Sequence, residues 1–433
     1  MPSSQSSNSP SQKLSHRLYS PWIVWLLRIL VGATFVMSGF VKAIDPWGSV
    51  IKITEYINAW GIDVMPSLIT LGAFALGAFE FIWGSMLFFG CYKRFSVWML
   101  TLLMAFMLPL TLYILISSPV DDCGCFGDFI ILSNSATFIK NIVLMLALVY
   151  LLIYNRRASG CFTPYVQWII GGLFTLYIFI IELFGYTVQP LIDFRQYAAG
   201  SELITETEED ESPTIYEYTY TRDGEEKTFT IDKLPDSTWT FVSRKLVSGE
   251  KPLTTDGFTI IDEEGEDIAA DVIDTEAEQF IVTIPDIDSV DLSYTYLIND
   301  LNDFIVHHGG SLVALIDNNE DGYNRWQDIS MASYPIYKAD PKMLKELARG
   351  HAALVYLDNG RVVWKRSLSS IGYTLVNETP PSELIDVLDP QTDNMLRVIT
   401  VPFVIIILII LVLDRSGKLL AWHLRRRKLT EKS

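Results

Sequence analysis

Cysteine and histidine are scarce in this chain of 433 residues, which contains four cysteines and five histidines. The histidines are scattered, without metal-ligand spacing or a catalytic-triad partner; they are His16, His307, His308, His351 and His423. Neither a phosphate-binding Walker loop nor a dinucleotide fingerprint occurs. Basic residues are also in the minority, with 33 Lys and Arg against 51 Asp and Glu and a net charge of −18. This balance argues against a nucleic-acid partner.

Long hydrophobic runs are abundant, and half of all residues are hydrophobic. Five runs approach or exceed the roughly 20 residues that a helix needs to cross a bilayer, and a sixth is shorter. They are Trp22–Val41, Ser67–Gly90, Ser96–Ser117, Ala136–Tyr154, Tyr165–Gly185 and Val398–Leu413. The first run is too long for a cleaved signal peptide and lacks a small-residue cleavage site. The sequence therefore predicts an α-helical membrane bundle of six transmembrane helices.

Basic residues predict the orientation of these helices, because cytoplasmic loops are enriched in Lys and Arg. Basic residues occur before the first run, between the second and third runs, between the fourth and fifth runs, and after the sixth run. These residues are Lys13, Arg17, Lys93, Arg94, Arg156, Arg157, Arg415, Lys418, Arg425, Arg426, Arg427 and Lys428. Six alternating helices place all four segments on one side. We therefore expect a multi-pass protein of the bacterial inner membrane with both termini cytoplasmic and residues 191–395 periplasmic.

Cys123 and Cys125 lie one residue apart in a short loop between the third and fourth runs. A Cys-x-Cys disulfide ring is tighter than an ordinary bridge prefers, and strained, exposed disulfides tend to be labile and oxidising. Two interpretations remain open: a static disulfide that fixes the loop, or a redox-active pair on the outer face. Neighbouring carboxylates predict raised thiol pKa values, because negative charge disfavours a thiolate; they are Asp121, Asp122 and Asp128.

Ionisable residues within the apolar runs form a second group of candidates. Glu80 lies in the middle of the second run, where a carboxylate must face the bundle interior, a partner or a cavity. It is either a structural contact of Lys42, Arg28 or a backbone group, or a proton or ligand site. Glu182 and Lys140 lie near the ends of their runs, so we expect both to reach the membrane interface.

Residues in the first half of the chain resemble the DoxX-like membrane proteins, and most closely the methylamine-utilisation MauE branch. The matching residues are Arg28, Gly32, Phe35, Ser38, Gly39, Lys42, Asp45, Pro46, Glu80, Cys123 to Gly127 and Thr137 to Asn141. The resemblance covers residues 20–200, where Leu191–Gly200 is similar to a linker of larger fused members from Bacteroidetes. It implies a four-helix membrane core. MauE is linked to maturation of a disulfide-rich methylamine dehydrogenase subunit, and DoxX relatives to quinone-coupled sulfur oxidation, but neither substrate carries over.

The polar region after residue 191 reads as two parts. Thr214–Thr230 and Trp239–Val247, around Asp223-Gly224, predict a β-rich segment. From residue 278 the predicted elements are strand Gln279–Ile284, helix Tyr294–His307, strand Leu312–Ile316, strand Tyr334–Tyr337, helix Pro341–Arg349 and a hairpin of Ala353–Leu357 with Arg361–Lys365. This order resembles an α/β thioredoxin-like domain. Ile284 to Asp288 replaces the usual Cys-x-x-Cys, and Gly350 to Ala352 replaces the usual proline. Without cysteines such a domain cannot exchange disulfides, so we expect a binding module.

One pattern in this region matches the start of a calcium loop. Its candidate ligands are Asp317, Asn319, Asp321 and Asp328. Asp occupies the twelfth position instead of the usual Glu, and the segment follows a strand rather than a helix. These departures favour an acidic turn over a metal site.

The sequence thus predicts six segments: a disordered cytoplasmic N-terminus (1–20), a DoxX/MauE-like four-helix membrane domain (21–157), a fifth transmembrane helix (158–190), a linker with a β-rich segment (191–277), a thioredoxin-like extracytoplasmic domain (278–395), and a sixth transmembrane helix with a basic tail (396–433). In the first hypothesis, Cys123 and Cys125 exchange with an extracytoplasmic thiol protein and pass electrons to a quinone near Glu80, Lys42 and Arg28. The alternative is a non-enzymatic scaffold or assembly subunit whose outer domain binds partners. A third hypothesis, small-solute transport, is supported only by the charged residues within the membrane runs.

Overall fold

The computed structural model describes residues 20–118, 120, 123–155, 158–204, 215–222, 225–230, 240–248, 257–262, 265–380 and 383–430. The predictions for the N-terminus before residue 20, for Asp121 and Asp122 and for the Asp223-Gly224 turn lie outside these residues. The chain divides into two compact units, Met1–Arg195 with Asp386–Ser433, and Gln196–Ile385. Each unit is described by itself.

The secondary-structure elements of the described residues are as follows. The helices are α1 Pro21–Ile44, α2 Pro46–Ala59, α3 Pro66–Phe89, α4 Phe95–Ser117, α5 Asn134–Tyr154, α6 Gln167–Thr187, α7 Ala269–Val272, α8 Tyr294–His307, α9 Glu320–Ser330, α10 Pro341–Leu347, α11 Tyr373–Glu378, α12 Leu384–Leu388 and α13 Thr392–Thr430. The strands are β1 Ile215–Arg222, β2 Glu225–Thr230, β3 Thr240–Ser248, β4 Ile260–Ile261, β5 Glu278–Ile284, β6 Ser311–Asp317, β7 Ile336–Ala339, β8 Ala353–Asp358 and β9 Arg361–Ser367.

Helices α1, α3, α4, α5, α6 and α13 are long and apolar enough to cross a membrane, and they are the six such helices in the described part of the chain. The predicted spans are therefore confirmed, and the protein is a multi-pass membrane protein. Proline occupies the first turn of α1, α2 and α3, where its missing N–H has no intrahelical partner to lose. Helix α2 was not predicted; Asp45 caps it by accepting a hydrogen bond from the Gly48 N–H at 2.9 Å.

The closest packing within the bundle is between α1 and α3. A side chain on Gly39 would collide with the backbone of Gly77 and Phe81, and one on Gly84 would lie 2.7 Å from the Val36 nitrogen. Glycine at these two positions allows the backbones of α1 and α3 to approach each other directly. This approach brings the polar residues of the two helices within reach of one another.

The second unit contains two sheets. The first, in the order β2-β1-β3, is antiparallel and confirms the predicted β-rich segment. The second is mixed, in the order β4-β7-β6-β5-β8-β9: β5, β6 and β7 are parallel, whereas β4, β8 and β9 each run antiparallel to a neighbour.

The strands and helices predicted from residue 278 onward are confirmed, with two shifts. The third strand is Ile336–Ala339, two residues later than expected, and α10 ends at Leu347. The β8–β9 hairpin turns through Asn359 and Gly360, whose φ angles of 51° and 71° are those of a tight hairpin turn. Tyr197 and Phe258, from the predicted linker segment, belong to the core of this sheet.

Candidate functional site

The loop between α4 and α5 holds both cysteines of the Cys-x-Cys pair against α2. Gly124 between them has a φ of +64°, a conformation that a residue with a side chain rarely adopts. A Cβ atom on Gly124 would also lie 3.1 Å from Lys52 Cγ. Glycine at this position therefore serves both the turn and the close packing of the loop on α2.

A buried ion pair fixes this loop to the membrane helices. The Lys42 ammonium donates hydrogen bonds to Glu80 Oε2 at 2.8 Å, to Ser38 Oγ at 2.8 Å and to the Cys125 carbonyl oxygen at 2.7 Å. Ser38 Oγ donates a second bond to the same carbonyl at 2.6 Å. All three N–H groups of Lys42 are satisfied, and its side chain and that of Glu80 are each only 7 % exposed. The intramembrane charges and the cysteine loop thus form one connected polar unit.

The two thiols of this unit are free and in contact. The Sγ atoms of Cys123 and Cys125 lie 3.0 Å apart, and Tyr56 donates its hydroxyl to the Cys123 carbonyl oxygen at 3.3 Å. The Lys140 ammonium lies 4.4 Å from the centre of the Phe126 ring, within the range of a cation–π interaction. Both termini of the Cys-x-Cys segment are therefore held by side chains of the surrounding helices.

The thiols differ in their protonation. The hydrogen bond from Cys123 lowers the pKa of Cys125 to about 6, and the positive charges of Lys140 and Lys42 act in the same direction against burial and Glu80. The same hydrogen bond and burial raise the pKa of Cys123 above its ordinary value. This asymmetry favours Cys125 as the thiolate of the pair and Cys123 as its hydrogen-bond donor. Asp121 and Asp122 lie outside the described residues, so the expectation that the neighbouring carboxylates raise the thiol pKa values stays a prediction.

The pair opens into a cavity of about 420 Å³ between α1, α2, α3, α4 and α5. Its walls are mainly apolar and include Phe35, Leu103, Met107 and Leu110, and its polar groups include Lys42, Glu80, Lys140 and Asn141. Asn141 donates a hydrogen bond to Thr111 Oγ1 at 3.2 Å. An apolar cavity with a few convergent polar groups is the usual form of a small-molecule site.

Of the residues predicted from the sequence, Cys123, Cys125, Lys42 and Glu80 come together at this cavity. Arg28 does not: its Nη1 donates to the Ser159 carbonyl oxygen at 2.8 Å, and it lies about 21 Å from Lys42 along α1 at 1.5 Å per residue.

The expectation that Glu182 reaches the interface is wrong, because it is 1 % exposed among the helices. Lys140 lines the cavity, and its place at the interface stays a prediction. Sequence position near a helix end does not reveal which neighbours cover that end. Tyr56 and Lys52 of α2 were not predicted as site residues, since the short helix itself was not recognised.

The calcium candidates occupy the start of α9. Asn319 caps this helix by accepting a hydrogen bond from the Asp321 N–H at 3.3 Å, and Asp328 lies two turns further along. Over the described ranges, no group of three or more His, Cys, Asp or Glu side chains is placed to hold a metal ion.

The remaining cysteines, Cys91 and Cys161, are also free, and burial raises the pKa of Cys91 to about 12.

The fold and the site together define a multi-pass membrane protein with a cysteine-containing cavity in its helix bundle and a separate mixed-sheet unit. Residues 20–154 match the family model of the methylamine utilisation protein MauE, so this part of the chain is similar to the membrane region of that family. The match covers about a third of the chain and includes every residue that lines the cavity. Residues 214–248 match a domain of unknown function (DUF8463). No curated protein and no solved structure matches the chain. The broader DoxX resemblance stays a prediction.

Proposed function

We propose that this protein is a membrane thiol–disulfide module in which Cys123 and Cys125 accept electrons from an extracytoplasmic thiol protein and pass them to a quinone. The observation that carries the proposal is the placement of two free thiols, with Sγ atoms 3.0 Å apart, at an apolar cavity of the membrane helices. The Cys123 hydrogen bond and the charges of Lys140 and Lys42 lower the pKa of Cys125 there. A static bridge needs neither a stabilised thiolate nor a cavity beside it. A thiol that forms and breaks disulfides near neutral pH benefits from both.

The exchange step balances within the two proteins. A thiolate of the partner attacks one sulfur of the Cys123–Cys125 disulfide, a mixed disulfide forms, and the second partner thiol resolves it. The partner becomes oxidised and the pair becomes a dithiol. The low pKa of Cys125 makes it the better leaving group, because a thiol of lower pKa leaves faster. We therefore assign the mixed disulfide to Cys123.

The residues of the cavity fit a quinone. Its volume of about 420 Å³ lies in the range of ligand pockets, its walls are mainly apolar, and Lys140 and Asn141 line it with N–H donors of the kind that would bind a head-group carbonyl. A bound quinone would take up the two electrons and the one Cys123 proton that leave the pair when it closes to a disulfide, and its second proton would come from another acid or from water. Lys42 and Lys140 lower the energy of the thiolate that donates the electrons.

The mixed-sheet unit would supply the partner contact. The parallel pair β5–β6, the antiparallel strands β8 and β9 and the crossing helix α8 follow the order of a thioredoxin-like domain, which supports that assignment. All four cysteines lie before residue 162, so this unit acts by binding rather than by exchange. Lys and Arg residues cluster before α1, between α3 and α4, between α5 and α6, and after the apolar part of α13. This enrichment favours a cytoplasmic location for those segments and a periplasmic location for the cysteine loop and residues 191–395.

A non-enzymatic scaffold is the alternative, and the absence of cysteine from the sheet unit favours it. A scaffold requires no change in the redox state of Cys123 and Cys125. The two functions therefore differ in one observable: whether the pair cycles between dithiol and disulfide when quinone is supplied.

The test follows the pair directly. The protein in nanodiscs is reduced, the reductant is removed, decylubiquinone is added, and free thiols are counted with a maleimide that shifts gel mobility. We expect quinone-dependent loss of two thiols in the wild type. Gly72→Phe should slow this loss at least tenfold. Gly72 lines the cavity and a Cβ atom there meets no atom within 4 Å, so the Phe ring can occupy the cavity without a collision and block the quinone.

Gly172→Phe is the matched control. A Cβ atom at Gly172 also meets no atom within 4 Å, but this residue lies on α6, which does not border the cavity. If both variants are oxidised at the wild-type rate, the quinone does not bind in the cavity. If the thiols of all three proteins stay reduced in the presence of quinone, the scaffold function is favoured.

A further inference from the structure

Glu182 is a buried carboxyl group that the proposed mechanism does not yet use. It lies on α6, is 1 % exposed, and neither carboxyl oxygen meets hydrogen-bond geometry with a donor, although the Ala78 backbone N–H lies nearby. An ionised carboxylate in such a place is disfavoured, because burial removes its hydration and a single nearby N–H replaces little of it. The neutral acid is the form compatible with these surroundings.

The position of Glu182 relates it to the ion pair at the cavity. A Cβ atom built on Gly77 would lie 2.8 Å from Glu182 Oε1 and 3.4 Å from Lys42 Cβ. Gly77 is also one helical turn before Glu80 on α3. No described residue of α6 lines the cavity, so Glu182 lies beside Lys42 but outside the cavity.

Several titratable groups surround this position on the elements packed against α6, which are α1, α2, α3 and α13. On these elements they are Lys42, Asp45 and Glu80, and α6 itself carries Tyr177 and Tyr186. Asp45 accepts the Gly48 N–H, and Tyr177 shares a hydrogen bond of 3.0 Å with Thr400. Helix α13 contributes apolar residues such as Phe403 and Ile407 to this packing, and its Asp393 and Arg397 are exposed. Lys42 is therefore the cation of this group.

The charges around the cavity balance in only one redox state. In the dithiol state, the Cys125 thiolate and Glu80 offset Lys42 and Lys140, and Lys52, which also lines the cavity, is offset by its ion pair with Glu55. When the pair closes to a disulfide the thiolate charge disappears, and one positive charge is left without compensation. Ionisation of Glu182 would restore the balance, since opposite charges in a weakly polar interior interact strongly.

We propose that Glu182 is a redox-coupled proton site, which releases a proton when Cys123 and Cys125 are oxidised and takes one up when they are reduced. This inference rests on the proposed function. The oxidation then balances. The Cys123 thiol and the Cys125 thiolate form a disulfide and release two electrons and one proton, and the Glu182 acid becomes a carboxylate and releases the second proton. Without Glu182, the Cys125 thiolate would have no matching proton, and oxidation near neutral pH would release one.

Proton counting tests the assignment without any quinone. The reduced protein in nanodiscs is oxidised with ferricyanide, which accepts electrons but no protons, and an indicator dye in weak buffer reports proton release at pH 7. We expect two protons per disulfide formed in the wild type and one in Glu182→Gln, which keeps the size of the side chain. Glu182→Asp should restore part of the second proton. Glu276→Gln, at an exposed residue of the sheet unit, should still release two.

Infrared difference spectra give an independent readout. Oxidation of the wild type should remove a carboxylic-acid C=O band and create a carboxylate band, and both changes should be absent from Glu182→Gln. Two protons from Glu182→Gln, or a band that persists in it, would overturn the assignment while leaving the thiol module intact. A pair that ferricyanide oxidises but decylubiquinone does not would instead refute the quinone step alone. A pair that neither reagent changes would refute both proposals.

Discussion

The protonation of Cys125 can be tested by removing the thiol next to it. In Cys123→Ala, Cys125 loses the hydrogen bond that is the largest cause of its low pKa, whereas Lys140 and Lys42 remain. A hydrogen bond to a charged group contributes about 1.5–3 kcal/mol, and one pKa unit corresponds to about 1.4 kcal/mol. We therefore expect the pKa of Cys125 to rise from about 6 by about one to two units.

The measurement is the alkylation rate of reduced protein with iodoacetamide as a function of pH. Both proteins contain Cys91→Ala and Cys161→Ala, so that each labelled thiol belongs to the pair. Because only the thiolate reacts, the rate should be half-maximal near pH 6 in the wild-type pair and about one to two pH units higher in Cys123→Ala.

The plateau rate supplies a second check on the same variant. A more basic thiolate is intrinsically more nucleophilic, so the rate at high pH should increase about three- to tenfold. A midpoint near 9 in the wild-type pair would refute the stabilised thiolate. A midpoint that stays near 6 in Cys123→Ala would show that the ammonium groups, not the neighbouring thiol, produce it.

Two further predictions concern the fold. Gly39→Ala should strongly lower the midpoint of thermal unfolding of the protein in detergent, because the new methyl group collides with the backbone of α3. The control Gly172→Ala should leave the midpoint nearly unchanged. Equal midpoints in the two variants would contradict the direct contact of α1 with α3. Asp340→Ala should destabilise the sheet unit by about 1 kcal/mol, because this side chain caps α10 through the N–H groups of Lys342 and Met343. Hydrogen exchange of α10 measures that loss, and unaltered exchange would refute the cap.

The six membrane helices were predictable because an apolar run of sufficient length determines a spanning helix almost without reference to its surroundings. The mixed sheet followed from alternation and turn residues, as at Asn359 and Gly360. Helix α2 was missed because a short segment that is neither apolar throughout nor strongly periodic gives a weak signal.

The site was only partly predictable, for a different reason. Glu80 was expected to face a partner, and Lys42 was among the three partners considered. Which one it meets depends on the rotation of α1 against α3, and that rotation is set by the contact at Gly39. The burial of Glu182 depends likewise on which helices surround α6, and no local pattern encodes that.

The ion pair of Lys42 and Glu80 raises the question of why charges are kept inside a membrane bundle at all. Replacing a buried ion pair by apolar residues of similar size is often neutral or stabilising, whereas removing one partner costs about 3–5 kcal/mol. If the pair serves the cavity rather than the fold, Lys42→Met should destabilise the protein strongly and Lys42→Met with Glu80→Leu should recover most of that stability.

The double variant should nevertheless lose oxidation by decylubiquinone. Lys42 no longer holds the Cys125 carbonyl oxygen, and only Ser38 remains as its donor. Thermal unfolding and thiol counting on the same samples separate the two effects. A double variant as unstable as Lys42→Met would mean that the pair is required for folding. One that is stable and still oxidised at the wild-type rate would mean that the pair serves neither purpose.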